Sequence, residues 1–178
     1  MTVNHVSEFR DRIKNFTGEL QMETKAHKTP RIYIDTSVIG GCFDPEFKEF
    51  SLSLFRQIEK NLWTAIISDI TLQELASAPQ EVRDVLIGIR DVNIEYQTVN
   101  NDIVDLAEQY ILHSVIPTKM RADALHIACA TCYDADILVS WNFKHIVNYK
   151  RIRMVNAVNM FLGFKSLEIR SPRELIYD

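Results

Sequence analysis

Glycine and proline are scarce, five of each in 178 residues, which excludes a fibrous repeat or a low-complexity chain. Cysteine is scarcer still. Three of them, an odd number, argue against a disulfide framework and for a reducing compartment. No stretch approaches the roughly 18 apolar residues of a membrane span, so no membrane association is expected. Met1 to Arg10 lacks the apolar run of a secretory signal, and a cytoplasmic location is the expectation. There is no glycine-rich phosphate loop and no G-x-S-x-G elbow, which disfavours Walker-type nucleotide hydrolysis and serine hydrolysis. An overall excess of cations is also missing, since the formal net charge is −4.

What is present is an apolar fraction of 47%, ample for one core in a chain of this length. Charge is unevenly placed. Asp69 to Glu108 holds nine acids against Arg83 and Arg90, whereas Ile137 to Leu167 holds Lys144, Lys150, Arg151, Arg153 and Lys165 with no acid. The second stretch is either a solvated basic face or a surface for phosphates. Arg31–Asp35, Thr64–Ser68 and Asp136–Ser140 are continuous apolar runs, the pattern of strands buried on both faces of a parallel sheet. Val92–Tyr96 and Ile152–Val155 are weaker strand candidates. Helical patterns cover Phe47–Asn61, Ile70–Ser77, Gln80–Arg90, Asn101–Ser114 and Met120–Tyr133. Strand alternating with helix predicts a three-layer α/β domain with right-handed crossovers over residues 31–178. Residues 1–30 stand apart. Val6, Phe9, Ile13, Phe16 and Leu20 form one apolar helical stripe, followed by a polar linker ending at Pro30.

In doubly wound sheets ligands bind beyond the C-terminal strand ends, where the strand order reverses. Four polar residues are expected to converge there: Asp35 closing the first strand, Glu74 in the helix after the second, Asp123 near a helix start, and Asn142 after Ser140. Each has a plainer reading. Asp35-Thr36-Ser37 also suits a turn or helix cap, Glu74 an exposed helix face, and Asn142 a turn. Asp123 resists that treatment, because its helix is apolar nearly all round and a buried carboxylate needs a partner or a metal. Lys119 and Arg121 flank it as phosphate contacts or as plain surface cations. His126, three residues on, is read first as a core histidine, with an approach to the site as the alternative. Cys129 and Cys132 lie mid-helix without a second ligand pair, so zinc binding is not expected. If Asp35, Glu74 and Asp123 do converge, their repulsion raises at least one pKa, and Mg²⁺ or Mn²⁺ relieves it. Such a metal would activate water and stabilise a leaving oxygen without a general-base histidine.

Arg31-Ile-Tyr-Ile-Asp-Thr-Ser37, Ser68-Asp-Ile-Thr-Leu-Gln-Glu74, Asp123-Ala-Leu-His-Ile-Ala128 and Leu138-Val-Ser-Trp-Asn-Phe143 resemble, in order and spacing, the PIN-domain ribonuclease family. Within it the chain is similar to VapC-type toxins of toxin–antitoxin pairs. The resemblance runs from about Arg31 to Ser171–Leu175. It implies a PIN-like fold with a mostly parallel five-stranded sheet, metal-dependent RNA cleavage with Mg²⁺ or Mn²⁺, a homodimer and an antitoxin partner. It implies Asp35, Glu74 and Asp123 as metal ligands and, together with Asn142, as catalytic residues, and Thr36 or Ser37 as the hydroxyl that orients the site. Thr36, Ser37, Lys119, Arg121 and Lys144 stand as expected substrate contacts. Where the family usually has a fourth acid this chain has Asn142, a neutral amide that weakens the case for a second metal. A catalytically impaired RNA- or protein-binding module, and a housekeeping nuclease without an antitoxin, are the alternative readings.

Overall fold

The computed structural model describes residues 29–87 and 93–176. The amphipathic stripe from Val6 to Leu20 lies outside the described residues. The chain runs β1 (Arg31–Ile34), α1 (Thr36–Gly40), α2 (Lys48–Glu59), β2 (Thr64–Ser68), α3 (Asp69–Ala76), α4 (Gln80–Ile87), β3 (Ile94–Gln97) and α5 (Asn101–Leu112). It continues through α6 (Arg121–Cys132), β4 (Ile137–Val139), α7 (Tyr149–Phe161) and β5 (Glu168–Arg170).

The five strands form one parallel sheet in the order β3-β2-β1-β4-β5. Continuous apolar runs build it because both faces are covered. Tyr33, Ile66 and Leu138 point into one core with α5, α6 and α7. Their neighbours Ile32, Ile34, Ile67 and Val139 point into a second core with α1 and α2. Successive side chains of a strand alternate between faces, so one sheet supplies both cores and the fold has three layers. Tyr33 pairs with Ile66 on one side and Leu138 on the other, which puts β1 at the centre. The order reverses between β1 and β4, and the crevice there lies beyond Asp35 and Ser140.

At the opposite end of the sheet Arg31 ties three segments together. Its guanidinium donates to Glu95 on β3 at 2.6 Å and to the Tyr133 carbonyl at 2.7 Å. Its backbone N–H donates to Asp136 at 2.7 Å.

One expectation fails. Ile152–Val155 is not a strand but the middle of α7. Val155, Val158 and Asn159 are buried and Ile152 half-buried, at helical intervals, and Asn148 caps the helix by accepting from the Arg151 N–H at 3.3 Å. The fifth strand is Glu168–Arg170, a three-residue edge in which only Ile169 is buried. The strand expected over 92–96 is Ile94–Gln97. Cys42, Cys129 and Cys132 are all free, and burial raises each thiol's pKa, Cys129 to about 12. Among the described residues no helix is long and apolar enough to cross a membrane.

Candidate functional site

Asp35 follows the last residue of β1 and is only 6% exposed. Its backbone N–H donates to the Val139 carbonyl at 3.1 Å, which anchors it to β4. Two hydroxyls set its carboxylate: Ser37 Oγ donates to Oδ2 at 2.6 Å and Ser140 Oγ donates to the same oxygen at 2.5 Å. The Trp141 N–H donates to Ser37 Oγ at 2.9 Å and the Asn142 N–H to Ser140 Oγ at 2.9 Å. Ser37, expected to touch substrate, is therefore committed to holding Asp35 and the turn after β4.

Glu74 lies on α3, which begins immediately after β2. Its Oε2 accepts from Thr36 Oγ1 and stands 3.1 Å from His126 Nε2. The His126 bond holds the Glu74 carboxyl below its ordinary range, with burial opposing and the Thr36 bond assisting. The side chain keeps 38% of its surface exposed and so faces the solvent side of the site.

His126 is fully enclosed on α6, as a core histidine would be, yet its ring is aimed at the acids. Nε2 lies 3.6 Å from Asp35 Oδ1 in addition to Glu74, and Nδ1 lies 2.8 Å from the Tyr33 hydroxyl. That hydroxyl is 2.6 Å from Ser68 Oγ. A proton on Nε2 points at Glu74 and leaves Nδ1 to accept from Tyr33 when the ring is neutral. Burial pulls the imidazole pKa down, but the Glu74 bond and the charges of Asp35, Glu74 and Asp123 outweigh it, and the net direction is up. The signal for this role was spacing: residues three apart on a helix share a face, so His126 had to lie near Asp123.

Asp123 occupies the first turn of α6. Burial raises its pKa, the nearby Asp35 charge raises it further, and His145, the Asn142 amide and His126 oppose. Its Oδ2 is buried and has no hydrogen-bond partner among the described residues. The flanking cations do not compensate it from within. Arg121 is half-exposed and donates to Glu108 at 2.8 Å, and Lys119 is exposed on the turn before the helix. Lys144 is likewise exposed, two residues past Asn142.

Asn142 serves a turn and the site together. Its Oδ1 accepts from the His145 N–H at 3.0 Å, while its amide hydrogen-bonds Asp123. The oxygen that might have met a metal is thus engaged in the turn. His145, missed in the sequence, is 7% exposed, and neither ring nitrogen has a partner among the described residues. Ser140 was missed too, since a strand-terminal serine carries no distinguishing signal.

One ligand atom each from Asp35, Glu74 and His126 lies within 4.8 Å of the others. The tightest cluster thus holds His126 where the sequence expected Asp123. Asp123 stands beside it, coupled to Asp35 by charge and carrying an orphaned oxygen. A buried oxygen without a donor, next to two more acids, fits a divalent cation taking oxygen ligands.

No protein-family model matches the chain, and no curated protein does. Among solved structures it is similar to VapBC2 from Rickettsia felis bound to a DNA fragment from its promoter. That similarity has 16% identity and a TM-score of 0.49, over 79% of this chain and 98% of the other. It is also similar to DNA-bound VapBC from Salmonella typhimurium, with 14% identity and a TM-score of 0.47, over 80% of this chain and 98% of the other.

Proposed function

We propose that the protein is a divalent-metal-dependent endoribonuclease of the PIN-domain kind, with Asp35, Glu74 and Asp123 as its acidic centre. The observation that carries this reading is the orphaned, buried Oδ2 of Asp123 beside Asp35, whose charge raises the Asp123 pKa. A carboxylate oxygen left without a donor in such a place is costly unless a cation meets it. Asp35, Glu74 and Asp123 would hold Mg²⁺ or Mn²⁺, and the bound ion would polarise water and the scissile phosphate. The chain's own residues then have defined tasks. Ser37 and Ser140 fix the Asp35 carboxylate, Thr36 and His126 fix Glu74, and the Asn142 amide steadies Asp123. Lys119 and Lys144, both exposed in the segments that carry Asp123 and Asn142, would meet phosphate oxygens, and Arg121 would do so only by leaving Glu108.

The resemblance to VapC-type toxins supports an antitoxin partner and a homodimer, with residues 1–30 as an extension to the nuclease domain. Purified protein incubated with a mixed RNA pool should cleave it with Mn²⁺ or Mg²⁺ and stop on chelation. RNA left intact with either metal would refute the reading. One observation favours the second reading, a PIN-like binding module: Glu74 Oε2 is already engaged by both Thr36 and His126. A module of that sort would bind RNA and leave it intact.

A further inference from the structure

The surface that follows Asn142 carries aromatic rings interleaved with cations. Phe143 is 48% exposed, immediately after the residue whose amide reaches Asp123. Its ring is braced from behind by Trp141 at 6.0 Å and Phe47 at 6.4 Å between centroids. Lys144 beside it is exposed. The chain then folds into a turn closed by the Ile146 and Val147 N–H groups donating to the Asn142 carbonyl. It reopens at Tyr149, 76% exposed, whose ring lies 5.7 Å from the Arg153 guanidinium carbon. Phe143 and Tyr149 are six positions apart, so their Cα atoms stand at most about 20 Å apart.

Tyr149, Lys150 and Arg153 line an open cavity of about 340 Å³ on the outer face of α7. The first turn of α7 has no acid. Lys150 and Arg151 instead sit there against the helix dipole, which favours anions at that end. An arrangement unfavourable to the helix alone becomes favourable when a polyanion covers it. Arg151 is partly committed, donating to the Val115 carbonyl, while Lys150 and Arg153 remain exposed.

We propose that Phe143 and Tyr149 are base-stacking stations for single-stranded RNA, with Lys144, Lys150 and Arg153 meeting the phosphates between and beyond them. This rests on the nuclease reading for its substrate class and adds the track by which the strand reaches the acidic centre. Stacking on exposed rings tolerates any base, and a basic strip follows any backbone, so the track would select single strands over duplex rather than one sequence. Phe143, braced by two rings, loses little freedom when a base lands on it.

The test uses the full chain carrying Asp35→Asn, to keep RNA intact, and a labelled single-stranded oligonucleotide in Mn²⁺. Phe143→Leu and Tyr149→Leu should each weaken binding about 5- to 150-fold, the range for one lost base–aromatic stack, and Phe143→Trp should restore it. Replacing successive bases with abasic spacers should cause a similar loss at one or two positions, with no further loss in the Leu variants. Lys150→Gln with Arg153→Gln should flatten the salt dependence, which the aromatic variants leave unchanged. Leu variants binding within twofold of the parent would overturn the proposal, as would losses that are equal for duplex and single strands. A dimer turned monomeric with RNA binding intact would also overturn it, marking the surface as self-association instead. Cleavage by the unmodified protein is scored separately. Binding with the stacking signature but no cleavage removes the nuclease reading alone, and cleavage without the signature removes this proposal alone.

Discussion

At the scale of single residues, Asp123 in its proposed role would set stability against activity. Its raised pKa means that the fold penalises the charged carboxylate. The penalty is absent below the ordinary value of 3.8, grows as pH rises from there to the higher folded value, and is fully present above it. Asp123→Asn should therefore raise the melting temperature of the metal-free protein at neutral pH and lower cleavage about a hundredfold or more. Thermal melts in chelator and RNA turnover in Mn²⁺ check the two signs, and a variant that is both less stable and fully active would remove Asp123 from the centre. Tyr33→Phe makes the reverse case. It strips the hydroxyl that meets Ser68 and His126, leaving two buried groups short of a partner. The cost should be about 1–3 kcal/mol, read as a lower melting temperature. Of the acids, Asp123 stood out in the sequence because a carboxylate in a helix apolar nearly all round is out of place, whereas Asp35 and Glu74 also fitted a turn and an exposed helix face. Ser140 was not, since its bond to Asp35 spans 105 positions and depends on a rotamer that no local pattern encodes.

Among the elements, α7 was the one misread. Ile152-Arg-Met-Val155 is too short to separate a period of two from one of 3.6, and only Val158 and Asn159, further on, decide it. The Asn148 cap is what starts this helix, so Asn148→Ala should cost about 1 kcal/mol, seen in denaturant unfolding. The last turn, Pro172–Leu175, is held by a capping box in which the Ser171 N–H donates to Glu174 at 2.8 Å and its hydroxyl at 2.7 Å. Burial pushes the Glu174 pKa up, but the Ser171 bonds and Arg170 together pull it below its ordinary 4.5. A depressed carboxyl stabilises the fold above its unfolded value, and that contribution is lost as pH falls through the lower folded one. Wild type should lose stability below about pH 4.5 in a step that Glu174→Gln lacks. The step will be small, since the side chain is 45% exposed and well screened. Acid melts of the two forms compare them directly.

For the molecule as a whole, the parallel sheet was legible in runs buried on both faces, whereas strand order was not, because pairing partners leave no periodic trace. Trp141, after β4, is also tied to α2 through Ser51. A β-carbon on Gly41 would stand 2.6 Å from Ser51 Oγ and 2.7 Å from Trp141 Nε1, two atoms now hydrogen-bonded at 2.9 Å. Gly41→Ala should cost about 1–3 kcal/mol by overpacking, or ~2–4 °C of melting temperature per kcal/mol. It should lower turnover as well, because Trp141 also holds Ser37; calorimetry and RNA cleavage report both. The strand order has a further meaning during synthesis. β1, β2 and β3 can pair as soon as residue 97 has emerged, but the other edge of β1 stays bare until β4 arrives roughly 40 residues later. At ~5–20 residues per second that interval lasts about two to eight seconds. A nascent chain in that window already carries Asp35 and Glu74, but neither the complete α6 nor the serine that locks the Asp35 carboxylate. The ribosome making this protein therefore holds a half-sheet with an open edge and an unassembled centre, and the acidic cluster is complete only once the last third of the chain has docked.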